Sequence, residues 1–299
     1  MKEDGFAGFV NGFVLGRMTY MIKRNMLVAV FLLMAATLVF SGCSSSTAQK
    51  TTSEKKTLTI SFNPGPYEDE FKNGVAPYLK SKGYTIHYKT FTDGIQPDMA
   101  VSQGEIDANV FQHTIYLNAI NQKEGINLVG IVHVPTPPMG LYSKKHKSLT
   151  EVSDGAQVVV PSDPTNLLRA ITILQKVGWI TIKNNIDPLK ASLSDVTANL
   201  KNIKIVTVDS AQAVQALNDA DYVCIQGNYA IANKIKLTTA LKLEEMTDPY
   251  ANVVAVDSKN KNSQFANDIV AGYKSEAFQK YIKSNNIYDG YWLPSYFNK

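Results

Sequence analysis

From Thr57 to the carboxyl terminus, short apolar segments alternate with segments of helical periodicity. Strands are predicted at residues 58–62, 85–91, 108–111, 128–132, 157–160, 203–208, 222–225 and 252–256. Helices are predicted between them, at residues 67–82, 96–103, 114–123, 163–177, 211–218, 228–234, 262–272 and 275–284. This alternation is typical of parallel sheets with helices on both faces, in which ligands bind beyond the carboxyl ends of the strands. The pattern therefore predicts an α/β protein with a site at the strand ends.

The predicted globular part has about 240 residues, which suit two lobes better than one at the usual ~100 to 150 residues per domain. Proline-containing segments near residues 135–141 and 245–252 lie between the sets of predicted strands. We expect the chain to cross between lobes in these segments. Residues 57–136 with 250–299 would then form the first lobe, and residues 137–249 the second.

The amino-terminal segment has the organisation of a secretory signal. Lys23 and Arg24 precede an apolar run at residues 26–40, which is short for a membrane span and has the size of a signal h-region. The order Phe-Ser-Gly-Cys that ends at Cys43 resembles the bacterial lipobox, in which the cysteine becomes the lipidated first residue of the mature chain. We expect residues 1–42 to be removed and Cys43 to anchor the protein; an uncleaved anchor would leave the domain on the same side of the membrane.

Two further stretches near this signal are not expected to belong to the fold. Residues 1–20 are rich in Gly and Phe, unlike a charged n-region, and Met21 is a more natural start. Residues 43–56 are polar and rich in Ser, Thr and Lys, as a flexible tether between lipid and domain requires. The expected location is the extracytoplasmic face of the cell membrane.

Composition excludes several function classes. The net charge of +4 comes without a basic stripe, so nucleic-acid binding has no support. Besides Cys43 the chain has only Cys224, which lies in an apolar run and is expected to be a buried, inert thiol. The four histidines are not at metal-ligand spacing, and there is no Walker loop or dinucleotide fingerprint. We therefore expect no metal, no cofactor and no enzymatic activity.

Arg169 is the one arginine between Cys43 and the carboxyl terminus. Its planar fork can hold a carboxylate through two parallel hydrogen bonds, and it stays charged when buried. Asp163 is predicted to cap a helix that begins at Pro164, which would place Asn166 and Arg169 on one face of the opening turns. Arg169 is therefore either an anion-binding residue or a surface arginine of an amphipathic helix.

Polar and aromatic residues also follow two of the predicted strands. Phe111, His113 and Tyr116 can converge on one crevice, although the same residues also suit a core position, a helix cap and a helix-packing position. Asn228 begins a predicted helix, where an N-cap role is compatible with a ligand contact. Together with Arg169, these residues predict a site for a small zwitterion with an apolar side chain.

Five ordered motifs carry a resemblance to a known family: GEIDANVFQH at 104–113, PMGLYSKK at 138–145, VPSDPTN at 160–166 with Arg169, GNYA at 227–230 and PYAN at 249–252. The chain resembles the NlpA/MetQ lipoproteins, the substrate-binding components of methionine ABC importers. The resemblance implies a two-lobe periplasmic-binding-protein-like fold of type II with the ligand cleft between the lobes. It also implies an ABC permease and its ATPase as partners, and we expect a monomer.

The resemblance further implies a role for each candidate residue. Arg169 takes the amino-acid carboxylate, Asn166 and Asn228 hold the backbone polar groups, and the remaining residues surround the thioether: Phe111, His113 and Tyr116. Thioether sulfur packs well against aromatic rings.

The chain departs from its relatives at Gly94, where some carry a tyrosine, and at Pro137, where they place a glutamate or an aromatic residue. These departures leave open a different amino acid, methionine sulfoxide or a methionine-containing dipeptide. Two other classes remain as alternatives. An exported enzyme would need a nucleophile and a base, and a metal-binding lipoprotein would need acidic side chains next to His113 and His133.

Overall fold

The computed structural model describes residues 55–298. The predicted signal segment, Cys43 and the predicted tether up to residue 54 lie outside the described residues. Within the described part, no helix is both long enough and apolar enough to cross a membrane.

The strands, in chain order, are β1 (Thr57–Phe62), β2 (Thr85–Thr90), β3 (Ala108–His113), β4 (Leu128–His133), β5 (Gly140–Tyr142), β6 (Gln157–Pro161), β7 (Ile180–Ile182), β8 (Val196–Asn199), β9 (Lys204–Val208), β10 (Tyr222–Ile225), β11 (Lys242–Leu243) and β12 (Asn252–Asp257). The α-helices are α1 (Tyr67–Glu70), α2 (Ala76–Ser81), α3 (Gln96–Ser102), α4 (Thr114–Glu124), α5 (Pro164–Lys176), α6 (Gly227–Ala232), α7 (Gln264–Lys274) and α8 (Glu276–Lys283). Every predicted strand is present. The short strands β5, β7, β8 and β11 were not predicted, because two to four residues show no period of their own.

Two five-stranded sheets organise the fold, with strand orders β2-β1-β3-β12-β4 and β11-β5-β10-β6-β9. β1 is parallel to β2 and β3, and β6 is parallel to β9 and β10, as expected. However, β12 is antiparallel to both of its neighbours, and so is β5, so the expectation of purely parallel sheets is wrong. β5 is the first strand after the chain passes to the second sheet, and β12 is the first strand after it returns to the first sheet. Neither strand follows a helical crossover within its own sheet, which is the connection that makes neighbouring strands parallel.

Two predicted helices differ from the structure. The helix expected at residues 211–218 is two short 3₁₀ turns, because the Asp209 side chain caps a tight first turn at Ala211 and the chain turns again before β10. The helix expected at residues 67–82 is interrupted by a π-helical segment, Phe71–Val75. Pro77 lacks the N–H that would continue the regular bonding pattern there.

Each sheet has its own hydrophobic core. The core of the first sheet includes Leu58, Val110 and Val254, and that of the second includes Val158 and Trp179. Cys224 is a fully buried member of the second core, as predicted, and burial raises the pKa of its thiol. Both sheets are thus held by apolar packing that leaves their strand ends free to form a site.

Candidate functional site

A cavity of about 360 Å³ lies where the carboxyl ends of strands from both sheets meet. Its lining includes residues of the second half of β3 and residues within three positions after β1, β2, β6, β9 and β10: Asn63, Thr92, Asp93, Phe111, Gln112, His113, Ser162, Asp163, Asp209, Ser210 and Gln226. The cavity thus lies at the strand ends, where the sequence predicts a site.

All six residues singled out in the sequence line this one cavity: Phe111, His113, Tyr116, Asn166, Arg169 and Asn228. Gly94 and Pro137, the two departures from the family pattern, line it as well. A Cβ atom at position 94 would lie 2.5 Å from the Tyr116 hydroxyl oxygen, so in this chain Tyr116 occupies the space that a side chain at that position would need.

The first turns of α5 place Asn166 and Arg169 as predicted. The Asp163 carboxylate accepts a hydrogen bond of 2.9 Å from the Asn166 backbone N–H, and Pro164 is the first helical residue. Nη1 of Arg169 donates to Oδ1 of Asn166 at 2.8 Å, so the two side chains share a face. Arg169 is only 7% exposed, which excludes the surface-arginine interpretation.

The fork of Arg169 is engaged within the protein. Nε donates to Oε2 of Glu244 at 2.9 Å and Nη2 donates to Oε1 of the same carboxylate. The two parallel bonds expected for a ligand carboxylate are thus made to the carboxylate of Glu244. Burial opposes the charge of Arg169, but the adjacent Glu244 carboxylate outweighs it and raises the pKa of the guanidinium.

A guanidinium has about five N–H donors. Glu244 and Asn166 together take three of those of Arg169, and Nη2 makes a weak further contact with Sδ of Met246 at 4.0 Å. The donors not committed to these oxygens are on Nη1 and Nη2, the two terminal nitrogens of the side chain.

His113 has two roles at once. It is the N-cap of α4, where Nδ1 accepts a hydrogen bond of 3.0 Å from the Tyr116 backbone N–H, so its proton is assigned to Nε2. Nε2 lies 3.3 Å from Oδ1 of Asn166. Burial, and secondarily the charge of Arg169, lower the pKa of His113 to about 3. The imidazole is therefore neutral at physiological pH.

Aromatic rings form one wall of the cavity. The rings of Phe111 and Tyr116 meet edge to face with centroids 6.2 Å apart, and the Tyr116 hydroxyl donates to the Gly94 carbonyl at 3.2 Å. The Tyr250 ring packs against His113 at 5.3 Å and lies 5.7 Å from the guanidinium carbon of Arg169. The site therefore combines a cation, a neutral histidine and apolar ring surface.

The N-cap role, considered as the alternative to a ligand contact for Asn228, is not found. α6 begins at Gly227, so Gln226 occupies the cap position and Asn228 is the second helical residue. Nδ2 of Asn228 instead donates to the Pro64 carbonyl at 3.2 Å, which links the second sheet's helix to the loop after β1.

Sequence reasoning missed two residues of the site. Asn252 lines the cavity at 6% exposure, and among residues 55–298 no hydrogen bond is made by its side-chain amide. Asn252 ends the PYAN motif, whose sequence alone does not indicate a ligand contact. Glu244 had no local signal, because its partner Arg169 is 75 positions away in the sequence.

Across the described residues, no group of three or more His, Cys, Asp or Glu side chains is arranged to hold a metal ion.

Comparison with known proteins agrees with this architecture. The sequence model of the NlpA lipoprotein family matches residues 58–296. The chain is 38% identical over 211 residues to the D-methionine-binding lipoprotein MetQ of Escherichia coli K12, covering 70% of this chain and 77% of that protein. Its fold resembles that of a nutrient binding protein from Burkholderia cenocepacia bound to methionine, with a TM-score of 0.74 and 32% identity over 80% of this chain and 99% of that one.

A second solved structure is that of an ABC transporter periplasmic substrate-binding protein from Coxiella burnetii, with a TM-score of 0.73 and 35% identity over 79% of this chain and 100% of that one. These similarities confirm the predicted periplasmic-binding-protein fold of mixed α/β type. With its family match spanning nearly the whole described region, the chain belongs to the NlpA lipoprotein family.

Proposed function

We propose that this chain is the lipid-anchored, extracytoplasmic substrate-binding protein of an ABC importer, and that it binds L-methionine or a close analogue and delivers it to the permease. One observation carries the proposal. The buried Arg169 lines the same cavity as the aromatic rings of Phe111 and Tyr116. A zwitterion with an apolar side chain matches both features.

The carboxylate of the ligand is assigned to Arg169. The donors on Nη1 and Nη2 that are not committed to Glu244 or Asn166 suit a carboxylate oxygen, and charge-assisted bonds of this kind are about twice as strong as neutral ones. The side-chain amides of Asn166, Asn228 and Asn252 are assigned to the other polar groups of the ligand backbone, since all three line the cavity.

The side chain of the ligand is assigned to the aromatic wall. Phe111 and Tyr116 offer ring edges and faces, and a sulfur atom about 5 Å from a ring gains roughly 0.3 to 1.5 kcal/mol. His113 contributes here as a neutral ring, because its pKa lies far below physiological pH. A thioether suits this wall better than a charged side chain does.

The relatives support the ligand class. The Burkholderia cenocepacia structure contains methionine, and the Escherichia coli relative is named for D-methionine, so both enantiomers belong in any test. The proposal also includes the division into lobes at residues 57–136 with 250–299 and 137–249, the anchor at Cys43 and a monomeric state. The proposal includes binding without catalysis, which is supported by the Escherichia coli relative, a lipoprotein named for binding D-methionine.

Calorimetric titration of the full chain in detergent against the twenty amino acids and D-methionine tests the proposal. We expect saturable binding of methionine and much weaker binding of amino acids with charged side chains. Absence of heat with both methionine enantiomers, or equal binding of all amino acids, would contradict it.

A further inference from the structure

The Arg169–Glu244 pair is almost fully enclosed, with the two side chains 5% and 8% exposed. Three N–H groups converge on the Glu244 carboxylate: Nε and Nη2 of Arg169 and the backbone N–H of Met139. A buried carboxylate with three donors is well satisfied, so its position is fixed by the protein. Arg169, the ion-pair partner of Glu244, is the residue on which the proposed carboxylate site depends.

Glu244 also lies at a junction of the chain. It directly follows β11, where the chain leaves the second sheet, and Met139 directly precedes β5, where the chain enters that sheet. The Glu244 backbone N–H donates to the Met139 carbonyl at 2.9 Å, so the two segments are joined through both backbone and side chain. One carboxylate therefore connects Arg169 to both segments through which the chain passes between the two sheets.

We infer that Glu244 is a positioning residue for ligand binding: it holds the Nε and Nη2 edge of Arg169, so that the remaining N–H groups of the guanidinium keep one orientation in the cavity lining. The inference rests on the proposed function, since it concerns how Arg169 meets a ligand carboxylate. An arginine side chain loses much rotamer freedom when it is ordered, and Glu244 imposes that ordering before the ligand arrives. The other end of the guanidinium is fixed in the same way by Asn166.

A competing interpretation is that Glu244 only balances a buried positive charge. Under that interpretation, loss of Glu244 would lower stability, and the affinity for a carboxylate would be unchanged or higher because the charge of Arg169 is no longer balanced. If Glu244 positions Arg169, its loss should weaken ligands that carry a carboxylate far more than ligands that lack one.

The chain supplies a direct probe and a matched control. The full chain contains three arginines, Arg17, Arg24 and Arg169, so its arginine Nε–H spectrum is simple, and the Arg169 signal is the one that disappears in Arg169→Lys. The control substitution is Glu245→Gln, which makes the same charge change one position away, at a side chain that is 69% exposed and pairs with Lys176 at 3.3 Å.

The first measurement uses ¹⁵N spectra of the full chain in detergent without any ligand. We expect Glu244→Gln to shift the Arg169 Nε–H signal and to speed its exchange with water, because a charge-assisted bond to a buried acceptor is lost. Glu245→Gln should leave the signal in place. An Arg169 signal that is unchanged in Glu244→Gln overturns the inference whether or not methionine binds.

The second measurement is the affinity of wild type and both variants for methionine and methionine amide. We expect Glu244→Gln to weaken methionine by about tenfold or more, with little effect on the amide. Equal losses for acid and amide, or no loss for either, overturn the positioning role. Failure of the wild type to bind methionine overturns the proposed function instead, and the ligand-free spectra still decide whether Glu244 orders Arg169.

Discussion

Nδ2 of Asn228 donates a hydrogen bond of 3.2 Å to the backbone carbonyl of Pro64, which joins α6 beside the second sheet to the loop after β1 in the first. The neighbouring Gly65 has a φ of 147° and comes so close to Asn228 that an added Cβ would lie 2.8 Å from the Asn228 Cβ. The absence of a side chain at Gly65 therefore permits this contact between the sheets.

Gly65→Ala should disturb the contact, because the substitution is strained both in backbone conformation and in space. We expect weaker methionine binding and a more extended protein in small-angle scattering with ligand present. Wild type should compact on ligand and gain about 2.7 kcal/mol of stability at a hundredfold excess over Kd. Asn228→Ala removes the hydrogen bond and also a proposed ligand contact, so it should weaken methionine binding as well, but without a clash it should extend the protein less than Gly65→Ala does. Identical scattering and affinity for all three proteins would show that this contact does not matter for closure.

Removing one member of the Arg169–Glu244 pair should destabilise the fold. Arg169→Ala leaves a buried carboxylate without its charge partner, at an expected cost of roughly 3 to 5 kcal/mol. Replacement of both residues by methionine should recover much of that loss, since a buried ion pair is often no more stable than apolar side chains of similar volume. Urea denaturation of the two variants checks this. If Arg169→Ala is as stable as wild type, the prediction is wrong, and water must solvate the Glu244 carboxylate once Arg169 is removed.

His113 should make stability depend on pH. Its pKa is lowered from 6.5 to about 3 in the folded protein, so below pH 6.5 the unfolded state binds a proton that the folded state does not. The contribution of the neutral His113 to the free energy of unfolding is complete above pH 6.5. It is lost as the pH falls toward 3, by at most about 1.4 kcal/mol per pH unit.

Two buried acids act in the opposite direction. Burial raises the pKa of Asp98 to about 7 and that of Glu70 well above its usual value, so these groups cost stability as the pH rises. The difference in unfolding free energy between wild type and His113→Gln isolates the histidine, and we expect it to shrink as the pH falls from 6.5. A difference that does not vary with pH would show that the pKa of His113 is the same in the folded and unfolded states, which contradicts its lowering by burial.

The local placement of the site was predictable because it depends on local chemistry. Asp163 and Pro164 define the start of α5, and the helical period then brings Asn166 next to Arg169. Phe111 and His113 converge with them because the ends of β3 and β6 border the same cavity. These inferences need only short-range periodicity and the rule that strand ends bind ligands.

The remaining features depend on contacts between residues distant in the sequence. In the sequence, Glu244 and Glu245 are adjacent and have the same local pattern as two surface glutamates. Only the fold shows that Glu244 is buried against Arg169 and that Glu245 is exposed. The antiparallel direction of β12 likewise follows from the return of the chain from the second sheet, which no local pattern encodes. Asn228 lies two positions after the actual cap, Gln226, within the usual uncertainty of helix bounds.

The proposed anchor is tested by Cys43→Ala. The lipidated cysteine would carry two or more acyl chains, each buried CH₂ contributing about 0.8 kcal/mol, so we expect stable membrane association in the wild type. In Cys43→Ala, palmitate labelling should be lost, and the protein should be released from the membrane or remain unprocessed. Normal labelling and fractionation of the variant would refute lipidation at this residue.

The central claim is that Arg169 binds the carboxylate of the ligand, and the most direct test titrates methionine and methionine amide against wild type and Arg169→Lys. Lysine keeps the positive charge beside Glu244 but loses the planar fork, so the fold should be retained. We predict that the substitution weakens methionine by about tenfold or more and leaves the weak binding of the amide nearly unchanged. Equal losses for acid and amide would contradict the account and would show that Arg169 is a structural residue.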